Sequence, residues 1–169
     1  MMLRKRHNNK VELLSDASRK EIDTWIAKYP EDKKQSAVMS ALRIAQDQNA
    51  GFLNDDLIDA VAEYLEMESI AVFEVASFYS MYELKPVGKY KICVCTNISC
   101  MLCGSDEIVE RLEKKLGITF GETTKDGKFS LKEVECLGAC VNAPMLQIGE
   151  DYHENLTPEK IDNLLESLK

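Results

Sequence analysis

The hydrophobic positions in the first half of the chain recur with the period of a helix. Three segments each place their apolar residues on one helical face, and the predicted buried stripes are Ala37, Val38, Ala41, Leu42 and Ala45, then Leu57, Ile58, Val61 and Leu65, then Val72, Val75, Ala76 and Tyr79. The run Asn49-Ala50-Gly51 is typical of a helix end. Asn54 and Ser69 precede the second and third stripes, where their side-chain oxygens can cap the first backbone N–H groups.

A shorter helix is predicted upstream of these three. Ser18 and Glu21 have the spacing of a capping box, with Ser18 as the N-cap. The helix should stop near Tyr29, because Pro30 disfavours helical backbone in the residue before it. The short connections predict a four-helix bundle over residues 18–84. Residues 1–17 show no periodicity and are predicted to be a flexible tail.

The period changes after Lys85-Pro86-Val87-Gly88, which we interpret as a domain boundary. Residues 90–95 alternate as in a strand that leads directly into a cysteine-rich segment. Residues 105–116 return to a helical period, and Gly117 should end that helix. The run Lys125-Asp126-Gly127-Lys128 predicts a tight turn.

A second strand is predicted over residues 129–135, with a bulge between Leu131 and Val134 where the alternation slips. Residues 145–148 form a third predicted strand, which turns at 149–151 into a short fourth. Thr157 and Pro158 supply the N-cap and first residue of a last helix. Its predicted buried residues are Ile161, Leu164, Leu165 and Leu168. The order strand, helix, strand, strand, strand, helix over residues 85–169 predicts an α/β layer with a small mixed sheet, and an α+β or α/β class for the whole chain.

Composition argues against two classes of function, nucleic-acid binding and a membrane-spanning role. The net charge of −8 argues against nucleic-acid binding, which requires a basic surface. No apolar run approaches the roughly 18 residues of a membrane span. The one dense basic run, residues 4–6, is interpreted as a frayed terminus rather than a targeting segment. His7 and His153 are interpreted as surface residues.

Cysteines are concentrated in two segments. VCTNISCMLCG carries Cys95, Cys100 and Cys103, and ECLGACVNAP carries Cys136 and Cys140. Six cysteines without a secretory signal favour metal binding in a reducing compartment. The pairs C-x4-C and C-x3-C suit a [2Fe–2S] cluster, in which each iron takes two thiolates. Both pairs follow predicted strands, so they should lie at the carboxyl ends of the sheet.

Other interpretations of these cysteines stay open at this point. The first segment also reads C-x4-C-x2-C, the spacing of plant-type ferredoxins, which would use Cys103 and only one cysteine of the second segment. Structural zinc accepts the same four thiolates. We favour iron and sulfide on Cys95, Cys100, Cys136 and Cys140 because this set explains both pairs. Cys103 is then a spare thiol, and Cys93 a buried structural one.

The two cysteine segments resemble a known family. VCTNISCMLCGSDEIVERLEKKLGI, GETTKDGKFSLKEVECLGACVNAPMLQIGEDYHENLT and SFYSMYEL are similar to the thioredoxin-like [2Fe–2S] subunit of the peripheral arm of NADH:quinone oxidoreductase, respiratory complex I. The resemblance implies a thioredoxin-like [2Fe–2S] ferredoxin domain over residues 85–169. It also implies that Cys95, Cys100, Cys136 and Cys140 bind the cluster.

The resemblance further implies a partner that carries FMN and oxidises NADH, so neither cofactor is expected on this chain. The location would be the cytoplasmic face of the inner membrane in bacteria, through the complex, or the matrix side in mitochondria. The alternatives are the equivalent subunit of an NAD-linked formate dehydrogenase or hydrogenase, a free-standing ferredoxin, and a zinc-binding structural subunit. Phe78, Tyr79 and Tyr82 are interpreted as core packing or, alternatively, as a partner-facing patch.

Overall fold

The computed structural model describes residues 10–168, which form two compact units that divide between Pro86 and Val87. In the described part of the first unit, two 3-10 turns (Lys10–Leu13 and Glu31–Ala37) accompany the helices α1 (Asp16–Ile26), α2 (Val38–Gln48), α3 (Asp55–Leu65) and α4 (Ser69–Phe78). The predicted four helices are therefore present. Along residues 10–168, no helix combines the length and apolar content that crossing a bilayer requires.

The helical stripes predicted from the sequence are largely confirmed. Buried members of the core of this unit include Ala41, Leu42, Ala45, Leu57, Ile58, Val61, Leu65, Val72 and Ala76. Asn54 caps α3 as predicted, because its Oδ1 accepts a hydrogen bond from the Leu57 N–H at 2.9 Å. Tyr79 was wrongly placed in the stripe, since α4 ends at Phe78 and the Tyr79 side chain is exposed.

Two predicted N-caps are wrong. The N-cap of α1 is Ser15, whose Oγ accepts from the Ser18 N–H at 3.1 Å. Ser18 itself is buried inside the helix, and its hydroxyl donates to Oε1 of Gln48 at 2.8 Å. Ser69 is the first residue of α4 rather than its cap, and its hydroxyl is hydrogen-bonded to the Asp59 carboxylate. In both cases the serine hydroxyl hydrogen-bonds to a residue of another helix, so it does not cap the helix start as its position in the sequence suggested.

The predicted flexible tail does not extend over residues 10–17. Leu14 is fully buried in the helical core. The Lys10 ammonium lies 2.7 Å from Asp56 Oδ1 and 2.6 Å from Asp59 Oδ2, so this segment is fastened to α3. The basic residues at positions 4–6, and His7, lie outside the described residues.

The aromatic group before the boundary is split between core and surface. Tyr82 is buried in the helical core, and its hydroxyl donates to the Met39 carbonyl at 2.8 Å. Phe78 is 80% exposed and packs edge-on against Tyr79. Core packing is therefore confirmed for Tyr82 alone.

The second unit is built on a four-stranded mixed sheet. Its elements in chain order are β1 (Tyr90–Cys95), α5 (Ile98–Leu102), α6 (Ser105–Leu116), β2 (Phe129–Val134), β3 (Leu146–Ile148), β4 (Asp151–His153) and α7 (Pro158–Ser167). The strand order is β2-β1-β3-β4, with β1 parallel to β2 and the other neighbours antiparallel. The predicted strands, their order along the chain and the small mixed sheet are confirmed, whereas their neighbours within the sheet were not predicted.

The expected bulge in β2 is absent from the described strand, which pairs with β1 without interruption from Tyr90 opposite Phe129 to Cys95 opposite Val134. The slip in alternation arises because Leu131 packs in the core of the sheet unit, whereas Val134, on the opposite face of the strand, packs against the cluster of Cys95, Cys100 and Met145. A polar residue of β2 is also buried. Ser130 is buried, its Oγ accepts from the Gly88 N–H at 2.7 Å, and it shares a hydrogen bond with the Thr123 hydroxyl. A partnered polar side chain therefore occupies a core position.

Helices α6 and α7 hold the sheet through a core that includes Ile92, Val94, Ile108, Leu112, Leu131, Leu146, Ile161 and Leu165. Thr157 caps α7, because its Oγ1 accepts from the Lys160 N–H at 3.3 Å, and Pro158 follows as predicted. Gly117 ends α6 in the left-handed conformation, also as predicted. Two short elements were missed by the sequence patterns, namely α5 and the 3-10 turn Cys140–Asn142. Both carry cysteines.

Candidate metal centre

Parallel pairing of β1 with β2 brings both cysteine segments to one edge of the sheet. Cys95 is the last residue of β1 and lies opposite Val134, the last residue of β2. Cys136 follows two residues later. The Cys95 thiol lies 3.9 Å from the Glu135 carbonyl oxygen, which joins the two segments directly. The carboxyl ends of neighbouring strands therefore carry the cysteines, as the sequence predicted.

The first pair, Cys95 and Cys100, is buried. The two side chains are 3% and 1% exposed, and they form a small apolar cluster with Met145. Cys100 lies in α5, which begins where the Asn97 side chain accepts from the Ile98 N–H at 2.8 Å. The fold thus holds these thiols with both the sheet and a capped helical turn.

The second pair, Cys136 and Cys140, is exposed. The segment between them turns at Gly138, which has a φ of 81°. Cys140 begins a 3-10 turn that ends at Asn142, whose N–H donates to the Ala139 carbonyl at 3.1 Å. This pair therefore depends on a surface loop, which we call the second cysteine loop (residues 136–144).

The electrostatic environment of the Cys100 thiol includes thiols of both segments. Burial raises the pKa of Cys100, the neighbouring Cys95 thiol raises it further, and Cys140 adds a smaller contribution of the same sign. Several thiolates at one site repel each other unless a cation replaces their protons. The donor set therefore fits a cationic centre better than it fits a set of unmodified thiolates.

The two glycines of the cysteine segments are needed for backbone conformation. Gly104 and Gly138 have φ values of 92° and 81°, and a Cβ at either position would meet nothing within 4 Å. The left-handed backbone explains glycine at both positions.

The remaining cysteines are more exposed than the buried pair. Cys103 is exposed at the C-terminal end of α5, and its N–H donates to the Ser99 carbonyl at 3.2 Å. Cys93 lies in the middle of β1 opposite Gln147 and is half-buried, rather than buried as expected. Neither position changes our preference for the two pairs Cys95/Cys100 and Cys136/Cys140 as the proposed ligands.

The chemistry of the site fits an iron–sulfur cluster, while its ligand set remains a prediction. The four cysteines supply thiolate sulfur only, which iron in such clusters takes as its protein ligand. The Ser105 hydroxyl is fully buried and has no hydrogen-bond partner within residues 10–168, so a polar donor is available two residues after Cys103. Within the same residues, no three His, Cys, Asp or Glu side chains converge as a ready metal site.

Three supporting residues could not be found by inspecting the sequence. Met145 packs on the buried pair, and the Tyr152 hydroxyl donates to the Leu137 carbonyl at 2.8 Å. The Asn142 side-chain amide donates to Glu154 Oε2 at 2.9 Å. Met145 and Tyr152 lie outside the cysteine motifs and contact them, whereas Asn142 lies within the second motif and its partner lies outside it. No local pattern indicates these contacts.

Comparison with known proteins supports this interpretation of the site. The chain is 54% identical over 144 residues to the E subunit of NADH-quinone oxidoreductase from Rickettsia typhi, and the match covers 85% of each chain. It is 46% identical over 151 residues to the E 2 subunit of NADH-quinone oxidoreductase from Rhizobium meliloti, covering 89% of this chain and 88% of the relative.

A solved NAD+-reducing [NiFe]-hydrogenase shares the fold. The match has a TM-score of 0.66 at 21% identity, and it covers 75% of this chain and 22% of the hydrogenase chain. The family model of thioredoxin-like [2Fe–2S] ferredoxins matches residues 22–169, which include both cysteine segments. The chain therefore belongs to the thioredoxin-like [2Fe–2S] ferredoxin family.

Proposed function

We propose that the chain is the electron-transfer subunit of an NADH:quinone oxidoreductase and holds one [2Fe–2S] cluster on Cys95, Cys100, Cys136 and Cys140. The observation that supports the proposal is that Cys95 ends β1 opposite Val134, the last residue of the parallel strand β2, two residues before Cys136. Identity of 54% to the Rickettsia typhi relative, over most of both chains, supports the choice of parent enzyme.

The cluster supplies one-electron redox chemistry, and the chain supplies its attachment and surroundings. The buried pair shields one side of the site within the apolar cluster around Met145. The exposed pair leaves the other side open to a redox partner. His153, the one histidine in the described residues, lies in β4 outside the cysteine loops, so we assign no proton-transfer role to it.

We assign the redox partner's contact surface to the apolar side chains around the cysteines. Three of them lie on α5 and one on the second cysteine loop, with exposed fractions of 66% for Ile98, 47% for Met101, 78% for Leu102 and 96% for Val141. Apolar side chains this exposed are typical of a surface that a partner covers. The proposed partner is the subunit that carries FMN and oxidises NADH.

The function is tested by comparing two electron sources. NADH should reduce the cluster, detected by its EPR signal, only when the FMN-bearing subunit is present, whereas dithionite should reduce it in the isolated chain. Replacing Leu102 with Glu should slow reduction by NADH and leave reduction by dithionite unchanged. Leu13→Glu, at an exposed apolar residue of the helical unit, is the control. If NADH reduced the Leu102 variant as fast as it reduces the wild type, the assigned contact surface would be refuted.

An NAD-linked hydrogenase or formate dehydrogenase is the second candidate parent, since a hydrogenase chain shares the fold. Affinity purification from the native cell separates the candidates by the enzyme that co-purifies. A chain isolated with no partner would instead indicate a free-standing ferredoxin. The proposed location follows from the parent enzyme and is peripheral to the inner membrane, on its cytoplasmic side in bacteria or its matrix side in mitochondria.

A further inference from the structure

The second cysteine loop is held from one side by strand β4 and the residues that follow it. The Asn155 N–H donates to the Asn142 carbonyl at 2.7 Å, and the Leu156 N–H donates to the Pro144 carbonyl at 3.0 Å. Both of these bonds lie near the C-terminal end of the loop. The segment between the two cysteines, residues 137–139, is held differently.

A side chain of β4 hydrogen-bonds to that segment. The Tyr152 hydroxyl donates to the Leu137 carbonyl at 2.8 Å, between Cys136 and Gly138. The Leu137 side chain packs against the buried cluster of Cys95, Cys100 and Met145. Leu137 therefore joins the two halves of the site, with its side chain on the buried pair and its carbonyl fixed from β4.

Fixing this carbonyl also fixes the next N–H group. The peptide that joins Leu137 to Gly138 is planar, so in its trans form the Gly138 N–H points away from the carbonyl that Tyr152 holds. Gly138 has a φ of 81°, which sets the direction of the chain as it continues toward Cys140. Backbone N–H groups near cluster sulfur stabilise the more negative, reduced state.

We propose that Tyr152 is a positioning residue for the cluster, acting through the Leu137–Gly138 peptide of the second cysteine loop. Its hydroxyl holds the exposed cysteine pair in the geometry that retains the cluster, and it directs the Gly138 N–H toward the sulfur side of the loop. The proposal rests on the assignment of Cys136 and Cys140 as ligands, but not on the identity of the parent enzyme.

The test uses Tyr152→Phe in the full chain, which removes the hydroxyl and keeps the ring. Tyr90→Phe is the matched control, because its ring packs on Phe129 near the end of β1 that lies farthest from Cys95. Three quantities are measured: the rate of cluster loss to an iron chelator, the midpoint potential, and the EPR g values of the reduced cluster. Far-UV circular dichroism checks that both variants are folded.

The expected result is cluster loss about three- to tenfold faster in Tyr152→Phe, as one net hydrogen bond would give. Its midpoint potential should be lower and its g values altered, while Tyr90→Phe matches the wild type. Wild-type values for all three quantities in Tyr152→Phe would overturn the inference. Failure of this variant to fold would also overturn it, because Tyr152 would then serve the fold rather than the loop. A wild-type chain that holds no cluster would instead refute the proposed function.

Discussion

Cys95 and Cys100 lie in the interior of the sheet unit, whereas Cys136 and Cys140 lie on its surface. The first pair is fixed by β1, by α5 and by packing on Met145. The second pair lies on a loop in which the Leu137 carbonyl accepts a hydrogen bond from the Tyr152 hydroxyl. The two pairs of one proposed site thus receive very different support from the fold.

This difference separates two requirements of an electron carrier. A cluster must be held firmly enough to survive, and it must also be reachable by a partner. Burial and dense packing serve the first requirement, because a buried side chain loses many contacts if it moves. Exposure on a loop serves the second, at the cost of lower local stability. We therefore expect changes near the buried pair to affect the fold, and changes near the exposed pair to affect the cluster.

The largest expected effect comes from removing the ligands themselves. Changing any one of Cys95, Cys100, Cys136 and Cys140 to Ser should lower cluster content by more than about tenfold, since even outer residues around metal sites often cost that much. Cluster content is measured by iron, acid-labile sulfide and visible absorbance. Cys103→Ser and Cys93→Ser are the controls and should retain the cluster. Loss of the cluster in Cys103→Ser, with retention in Cys136→Ser or Cys140→Ser, would overturn the ligand set.

The second prediction compares how much stability is lost when a side chain is shortened beside each cysteine pair. Met145 is 1% exposed beside the buried pair, so Met145→Ala should lower the free energy of unfolding by about 2–5 kcal/mol. Val141 is 96% exposed beside Cys140, so Val141→Ala should change it by less than about 0.5 kcal/mol. Urea unfolding of the apoprotein measures both values. Similar losses in the two variants would show that the sheet unit supports both pairs alike.

A third effect concerns charge beside the exposed pair. Glu135 is exposed and directly precedes Cys136. A unit charge about 10 Å from the cluster, screened by water, contributes roughly 0.4 kcal/mol, or about 20 mV for one electron. Glu135→Gln should therefore raise the midpoint potential by about that amount. Glu150→Gln, in the turn at the opposite end of the sheet, is the control and should change it less. An unchanged or lowered potential in the Glu135 variant would argue against a direct electrostatic role.

The smallest expected effect is on the stability of the sheet unit, at an ion pair between α6 and α7. Asp162 on α7 is held by Arg111 and Lys115 on α6, and the Arg111 hydrogen bond is the main cause that lowers the pKa of Asp162. A lowered folded-state pKa stabilises the fold above the ordinary carboxyl pKa, and this stabilisation is lost as the pH falls below it. Asp162→Asn should therefore reduce stability at pH 7, and the difference should shrink as the pH falls through the lowered pKa of Asp162, measured by thermal unfolding. A pH-independent difference would contradict the assigned ion pair.

Sequence patterns correctly predicted the strand that ends at Cys95 and the helix that follows the first cysteine segment. The residues of β1 and α6 alternate or repeat clearly, and both elements have the predicted bounds. The four helices of the first unit were also predicted, although the N-cap of α1 is Ser15 rather than Ser18. Several serines lie near the start of α1, and the burial of Leu14 and Ser18 determines which of them is the N-cap. This burial depends on contacts with distant segments, which the neighbouring residues do not reveal.

The surroundings of Cys100 and the exposed half of the site were harder to predict for a related reason. Helix α5, which carries Cys100, has five residues, which is too short for a period to be recognised. The contact of Tyr152 with Leu137 joins residues that are 15 apart, and no motif marks it. The spacing of Leu131 and Val134 suggested a bulge because these residues pack in separate clusters on opposite faces of β2. Side chains whose partners come from distant segments were therefore the ones that sequence patterns misplaced or missed.

One thiol pair from each cysteine segment is proposed to hold a two-iron cluster, and every other assignment depends on this. The most direct measurement is the iron, acid-labile sulfide and zinc content of anaerobically prepared chain, together with its EPR spectrum after reduction by dithionite. We predict two iron and two sulfide per chain and a reduced-state signal from a single unpaired electron. Stoichiometric zinc, or the absence of both iron and sulfide, would contradict the proposed cluster.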